Sequence, residues 1–474
     1  MGTVTGMATK WWTLLVVCLA VFMLLLDVTI VNVALPDIQK ALGSSFEDLQ
    51  WVVDAYALAL AAILLASGSL GDQLGRRSVF VIGLVVFSGA SLLCGLSGTP
   101  TMLNIARAVQ GAGGAMMFAN SLALIAQEFP ANERGTALGI WGATTGFAVA
   151  VGPLVGGALT DGFGWEWIFL VNVPIGVLTL VLTLMRVRDS ERDPTARIDW
   201  GGLVTFSAAL FCLVFALIRG NDDGWSSTKI VALLVAGALL LAAFVAIELR
   251  RDQPMLDLRL FRIPTFTGAQ IVAFSIHASM FSMLLYITLY IQNVLGYTPL
   301  ESGLRFLPLS LLSFLAAPIA GKLAERYSVR LFLTTGLALI GLALVEMHGI
   351  KPSDDWTTLL PGFILAGIGI GFINPPLATA AIGVVVPRRS GAASGINSTF
   401  RQVGTAVGIA GLGAILQAKL PHNLGPASFA TAAGRNAYID AFNVLLKVGA
   451  AVAYTGAVSA LVLIRRRDFV GAAA

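Results

Sequence analysis

The sequence predicts an all-α membrane protein, built from two like six-helix units with two further helices inserted between them. Three observations carry this reading. Charged residues make up 12% of the 474 and hydrophobic residues 57%, whereas a soluble domain carries roughly 25% charge. Fourteen segments are apolar over the length needed to cross a bilayer, about 20 residues each. A charged motif near residue 70 returns 253 residues later.

The segments lie at about 11–35, 50–70, 79–98, 102–125, 136–160, 167–186, 200–218, 229–248, 267–293, 302–321, 331–349, 358–386, 391–418 and 442–464. Lys and Arg set their orientation, because cytoplasmic loops carry the excess of positive charge. With the N-terminus inside, 20 of the 30 basic residues fall in inner segments, 6 in outer loops and 4 within spans. Both termini are therefore expected inside. The run after Lys10 is too long for a secretory leader and lacks a small-residue cleavage pattern, so it reads as a retained first span.

The repeat sets the organisation. Gly68 to Arg77 recurs as Gly321 to Arg330, and Leu42-Gly43 as Leu295-Gly296. Gly135, Gly139 and Gly152 recur as Gly391, Gly395 and Gly408 at an offset of 256. The expected units are 1–187 and 267–474, with 188–266 holding two helices that have no counterpart. Parallel repeats of this kind mark secondary transporters, whose substrate sites lie between the halves near the midplane. The inner connectors 187–198 and 249–266 are polar, and the second alternates leucines with charges as a surface-lying segment does.

Several classes are disfavoured. The net charge of +4 comes from loop positions set by topology and gives no nucleic-acid signature. Cys18, Cys94 and Cys212 fall inside apolar runs without metal-ligand spacing, and read as buried small hydrophobes. No phosphate loop, metalloprotease motif or nucleophile elbow is present in the sequence. No cofactor, metal or catalytic residue is expected. A membrane-embedded enzyme and a sensor without transport remain as weaker alternatives.

Four segments carry a resemblance to a known family. They are Leu26-Asp27 through Asn32 to Pro36; Gly68 through Asp72, Gly75, Arg76 and Arg77; Arg107 through Gln110 to Gly113; and Gly152-Pro153 through Gly156-Gly157. In this order and at these spans the chain resembles the major facilitator superfamily, and within it the fourteen-helix drug:proton antiporters. Gly391 to Gly408, with Asn397, Arg401 and Gln402, is similar to helix 13 of that subfamily. Trp165-Glu166-Trp167 departs from the pattern, with Glu where Arg is expected. The resemblance implies the major facilitator fold and export of small amphiphilic or cationic compounds, drugs and antibiotics among them, in exchange for protons. A proton symporter importing a metabolite is the alternative. The partners implied are a small molecule, protons and the lipid bilayer, for a monomer in the plasma membrane.

Asp27 is the leading proton carrier, since a carboxylate inside a span is costly unless protein or water receives it. Counting 1.5 Å per residue places Asp27, Arg107 and Asp54 in one layer. A workable carrier would face the space between the halves and meet Arg107 in only one access state. Asn32, Gln110, Asn120, Asn374, Asn397, Arg401 and Gln402 are the expected cavity residues, although interhelical hydrogen bonding explains such polar groups equally well. Asp72, Gly75, Arg76 and Arg77 read as a gating turn, with Asp72 facing a helix N-terminus or Arg134. Gly68, Gly152, Pro153, Gly156 and Gly157 read as motif positions, the helix-5 set allowing close helix contact. His277 and Glu346 are weaker titratable candidates. One proton moving across about 150 mV releases roughly 3.5 kcal/mol, at about 2.3 per 100 mV.

Overall fold

The computed structural model describes residues 4–130, 133–188, 198–252, 254–324, 326–385, 390–420 and 431–469, with no side chain described at 4–8, 134, 135, 390 and 391. Fourteen helices among the described residues are long and apolar enough to cross a membrane. They are α1 (Thr9–Leu42), α2 (Phe46–Leu74), α3 (Arg76–Gly95), α4 (Pro100–Glu128), α5 (Thr136–Phe163), α6 (Trp167–Arg186) and α7 (Trp200–Asp223). There follow α8 (Thr228–Arg250), α9 (Pro264–Val294), α10 (Pro299–Ala324), α11 (Val329–Glu346), α12 (Trp356–Ile382), α13 (Ala392–Lys419) and α14 (Ala432–Leu463). The number of spans agrees with the sequence, and their ends run longer. α1 continues through Pro36 to Leu42, and α14 begins ten residues earlier than its apolar stretch, taking in Arg435 and Asp440.

The repeat is visible in the local chemistry of the turns. Gly43 and Gly296 both adopt positive φ, at +60° and +80°, where a Cβ would be strained. Two residues on, each copy opens its next helix with a capping box. Ser45 accepts from the Asp48 N–H while Asp48 accepts from Ser45, and Thr298 and Glu301 do the same. Gly75 (φ +94°) makes the turn between α2 and α3 at the other end. These turns give the two ends of the molecule their names below, the Gly43 end and the Gly75 end.

α1 to α6 pack chiefly on one another, as do α9 to α14, and the two sets meet along α2 with α13 and α5 with α10. Glycines permit the closest approaches. A Cβ at Gly111 would lie 2.4 Å from the Tyr56 carbonyl oxygen, and one at Gly113 would lie 2.6 Å from the Phe87 nitrogen. With no hydrophobic drive between helices in lipid, small residues at crossings supply the packing. α9 departs from regular winding at two π-helical stretches, His277–Phe281 and Tyr290–Val294; such bulges concentrate at functional positions.

Candidate functional site

The polar centre of the first six helices is built around Asp27, on α1. α4 presents Arg107 and Gln110 one turn apart. Arg107 Nη1 lies 2.6 Å from Asp27 Oδ2 and donates also to Gln110 Oε1 at 2.6 Å, while its Nε donates to the Val52 carbonyl at 2.9 Å. Gln110 Nε2 donates to Asp27 Oδ1 at 2.8 Å and to Ser91 Oγ at 2.8 Å. Asn172 Nδ2 donates to the same Asp27 oxygen at 2.9 Å. The guanidinium stacks 4.2 Å over the Tyr56 ring and 5.6 Å from that of Phe169. Asp27 is 0% exposed and Arg107 1%.

Each bond in this cluster is charge-assisted or bridges two helices, so the pair is held from α1, α2, α3, α4 and α6 together. A buried pair gains Coulomb energy only when its remaining lone pairs and protons are also satisfied, and here both Asp27 oxygens are. Asp27 thus turns into the first bundle and away from the space between the bundles, against the expectation that the carrier faces it, because its donors Arg107, Gln110 and Asn172 all belong to that bundle. Asp54 shares the depth of this pair, between Val52 and Tyr56, both of which meet Arg107. Asp54 faces the opposite way, one turn from Gln50 on the side of α2 that meets α13.

That seam is closed at the Gly43 end. Gln50 Nε2 donates to the Ile409 carbonyl at 3.1 Å, and the Tyr286 hydroxyl donates to the same oxygen. Gln292 Nε2 donates to the Val33 carbonyl at 2.7 Å, and Thr298 Oγ1 to Asp161 Oδ2 at 2.9 Å. Asp54 is 0% exposed behind this seal, and neither carboxyl oxygen has a hydrogen-bond partner among the described residues.

The glycines of α5 divide between two neighbours. A Cβ at Gly152 would strike the Thr29 hydroxyl at 1.8 Å, and one at Gly156 would lie 2.9 Å from the Ile30 backbone. Gly157 seats the start of α10, its Cβ position 2.5 Å from the Pro299 carbonyl, and Gly303 returns the contact at 2.3 Å from the Pro153 carbonyl. Beneath the seal a cavity opens between the bundles, lined by Thr29, Asn32, Val149, Phe281, Leu284, Thr288, Phe306 and Ser310 among others. None of the described residues lining it is charged.

Of the expected cavity residues, Asn32 lines this space. Gln110 belongs to the Asp27 cluster. Asn120 is wedged against α2, its amide 3.4 Å from the Ser67 carbonyl and its oxygen where a Cβ on Gly71 would sit. Asn397 donates to Gln270 Oε1 at 3.1 Å and accepts from Arg401 Nε at 3.3 Å, which ties α13 to α9. Gln402 and Asn374 are half-buried. His277 stacks on Phe281 at 4.3 Å, its Nδ1 3.1 Å from Thr405 Oγ1. Glu346 ends α11, away from these groups.

At the Gly75 turn, Asp72 pairs with Arg76 of its own motif, Nη2 to Oδ1 at 3.0 Å, and Arg77 donates to the Leu184 carbonyl at 2.9 Å. Gly68 lies exposed one turn before Asp72. The expected Asp72–Arg134 contact involves a side chain outside the described residues.

Asn172, Ser91 and Tyr56 escaped the sequence reading. All are polar or aromatic residues inside apolar spans, a signal that dozens of structural positions share.

Two like bundles, closed over a shared cavity at one end, with an ion pair walled into one of them, define a polytopic membrane carrier. Residues 17–409 match the Major Facilitator Superfamily, and the chain belongs to that family. It is 38% identical over 419 residues to the multidrug resistance protein Stp of Mycobacterium tuberculosis, covering 88% of this chain and 78% of that one. It is 35% identical over 463 residues to the puromycin resistance protein pur8 of Streptomyces alboniger, covering 97% and 92%. The fold is similar to a bacterial homolog of the human lysosomal transporter Spinster, solved in an inward-facing, occupied conformation. That likeness has a TM-score of 0.68 at 15% identity and covers 98% of each chain. At that identity it speaks to the fold alone.

Proposed function

We propose that the protein exports small amphiphilic compounds, drugs or antibiotics among them, in exchange for protons by alternating access. The observation that carries this reading is the buried Asp27–Arg107 pair beside an uncharged central cavity: a proton site and a substrate site, separate but adjacent through α1. Asp27 and Thr29, the latter on the cavity wall, are two residues apart on one helix. The resistance proteins to which the chain is similar support the direction.

In this reading the units 1–187 and 267–474 rock against each other, and 188–266 is an accessory pair. The Gly43 end is the outer end, as the distribution of Lys and Arg supports. The structure is then the inward-open state, sealed outside. Asp27, ionised against Arg107, has released its proton to the inside. When the bundles rock, α1 shifts against α4, the pair parts, and Asp27 takes a proton from the outer side. Asp54, enclosed within the outer seal, meets water only when that seal opens and is the second proton-coupling group. Gly152, Pro153, Gly156 and Gly157 make the seal tight enough to stop a leak. Asp72, Gly75, Arg76, Arg77 and Arg134 form the inner gate, with Gly68 at its edge. Substrate rests against Asn32 and the aromatic wall, with Asn374, Asn397, Arg401 and Gln402 on the opposite bundle and Gln110 and Asn120 supporting α4. No cofactor takes part, and the monomer is the working unit.

Proteoliposomes loaded with a pH dye test this reading. A panel of amphiphilic antibiotics is added on the inner-face side under a proton gradient. Substrate-driven proton movement opposite to the substrate supports exchange. Co-movement of the two would favour the symporter instead.

A further inference from the structure

Of the two helices outside the repeat, α7 lies across the seam between the bundles, against α2 and α13, and α8 packs on α7. At the Gly43 end, α7 reaches both sides. Arg219 Nη1 donates to Glu47 Oε2 on α2 at 2.6 Å, and Asn221 Nδ2 donates to the Ala414 carbonyl on α13 at 2.7 Å. Toward the Gly75 end, Leu256 and Leu260 of the connector after α8 share one buried cluster with Leu65 of α2 and Ile396 of α13. The connector therefore sits where the halves meet.

Under it lies a pair of acids. Asp199, which caps α7, is 5% exposed, and Glu248, in the last turn of α8, is 3% exposed. Glu248 Oε2 accepts from the Leu256 N–H at 3.0 Å, and Asp199 Oδ1 accepts from the Gly202 N–H at 2.8 Å. The other two oxygens, Glu248 Oε1 and Asp199 Oδ2, are buried and have no hydrogen-bond partner among the described residues. They point into one gap: a Cβ on Gly202 would lie 2.6 Å from the first and 3.0 Å from the second. Glycine at 202 leaves room for both. Arg251 Nε is 3.6 Å from Asp199 Oδ1 and half exposed. Arg250, Asp252, Arg259 and Arg262 of α8 and the connector are exposed, and the Asp257 carboxylate caps the Arg259 N–H. α2 and α13 contribute apolar side chains to the cluster beside the pair.

Two carboxylate oxygens buried beside one gap, without a donor among the described residues, repel each other, and one proton held there relieves the repulsion. We propose that Glu248 and Asp199 form a proton-binding site separate from the transport path, and that its occupancy decides whether the 251–262 connector stays seated on the seam. With the proton in place, the hydroxyl of one acid donates to the carboxylate of the other, and the remaining single charge faces Arg251. When the proton leaves to water, two negative charges confront each other in a buried gap. Relief comes from hydration, which requires Glu248 to give up the Leu256 N–H and the connector to lift. The connector is therefore seated at lower pH and released as pH rises. The inserted helices then report the pH on the Gly75 side to the seam, whichever solute crosses and in whichever direction.

Amide hydrogen exchange on the full purified chain, corrected for the intrinsic pH dependence of exchange, tests this without any transport assay. In the native protein, protection of 251–262 should fall with rising pH, by up to about tenfold per unit, the limit for release of one linked proton. Glu248→Gln and Asp199→Asn each replace the shared proton with a permanent N–H donor. Each should leave the connector protected and insensitive to pH. The proposal is overturned if native protection shows no pH dependence, or if the dependence persists in both variants. Loss of proton-coupled transport in other variants, with this behaviour intact, would bear on the exchange reading alone.

Discussion

Arg107 Nη1 stands 2.6 Å from Asp27 Oδ2, with neither side chain more than 1% exposed and both further anchored by Gln110. A pair so enclosed exchanges its proton only when the helices that carry it move. The same enclosure makes the pair a structural element as well as a functional one, and the two roles separate in variants.

Asp27→Asn keeps an acceptor for Arg107 and removes the titration. Proton-coupled flux should fall at least about 100-fold, the scale of about 2.7 kcal/mol in coupling, while substrate binding measured by fluorescence quenching persists. Full flux in this variant would remove Asp27 from the mechanism.

Arg107→Ala leaves a buried carboxylate without its cation, which costs about 3–5 kcal/mol. The variant should unfold at markedly lower temperature in a detergent-based thermal assay. Combining it with Asp27→Asn should recover most of the loss, because the uncompensated charge is then gone. Equal instability in the single and double variants would show that Arg107 acts through packing on Tyr56 instead.

Asp54 has two buried oxygens and no donor among the described residues, and such groups are costly. Asp54→Leu should therefore raise the melting temperature of the state closed at the Gly43 end while lowering exchange. A stabilised but less active variant is the mark of a group kept for function. A fall in melting temperature would mean that Asp54 is satisfied in a way this geometry does not contain.

Gly157 accepts the backbone of Leu300 at the seal, with a Cβ position only 2.7 Å from its Cα. Gly157→Leu should hold the Gly43 end apart. An impermeant maleimide added on that side should then label Gln292→Cys several times faster than in the background without the glycine change. An unchanged labelling rate would place the seal elsewhere.

Much of this was legible in the sequence, for reasons that differ from residue to residue. Spans are read from composition because lipid demands it. The repeat was read from Gly68–Arg77 and Gly43, and the structure adds the paired capping boxes at Ser45 and Thr298, a chemistry spread over four residues that an identity match overlooks. Asp27 and Arg107 stood out because intramembrane charges are rare. Their pairing followed from depth along the helix. The direction in which Asp54 faces did not, since depth carries no azimuth. Asn172 and Ser91 were invisible because an amide or hydroxyl in a span most often bonds its own helix, as Thr179 and Ser207 do here. The acid pair at Asp199 and Glu248 was hidden by distance in the chain, its members 49 positions apart by their numbering.

The central claim is that Asp27 is ionised against Arg107 in the state seen here and protonated in the opposite one. Difference infrared spectroscopy, comparing the native transporter with one trapped open at the Gly43 end, reads this directly. The account predicts a carboxylic-acid carbonyl band that appears in the trapped state and is missing from the same comparison in Asp27→Asn. A native protein that goes on exchanging protons for substrate with no such band would contradict it.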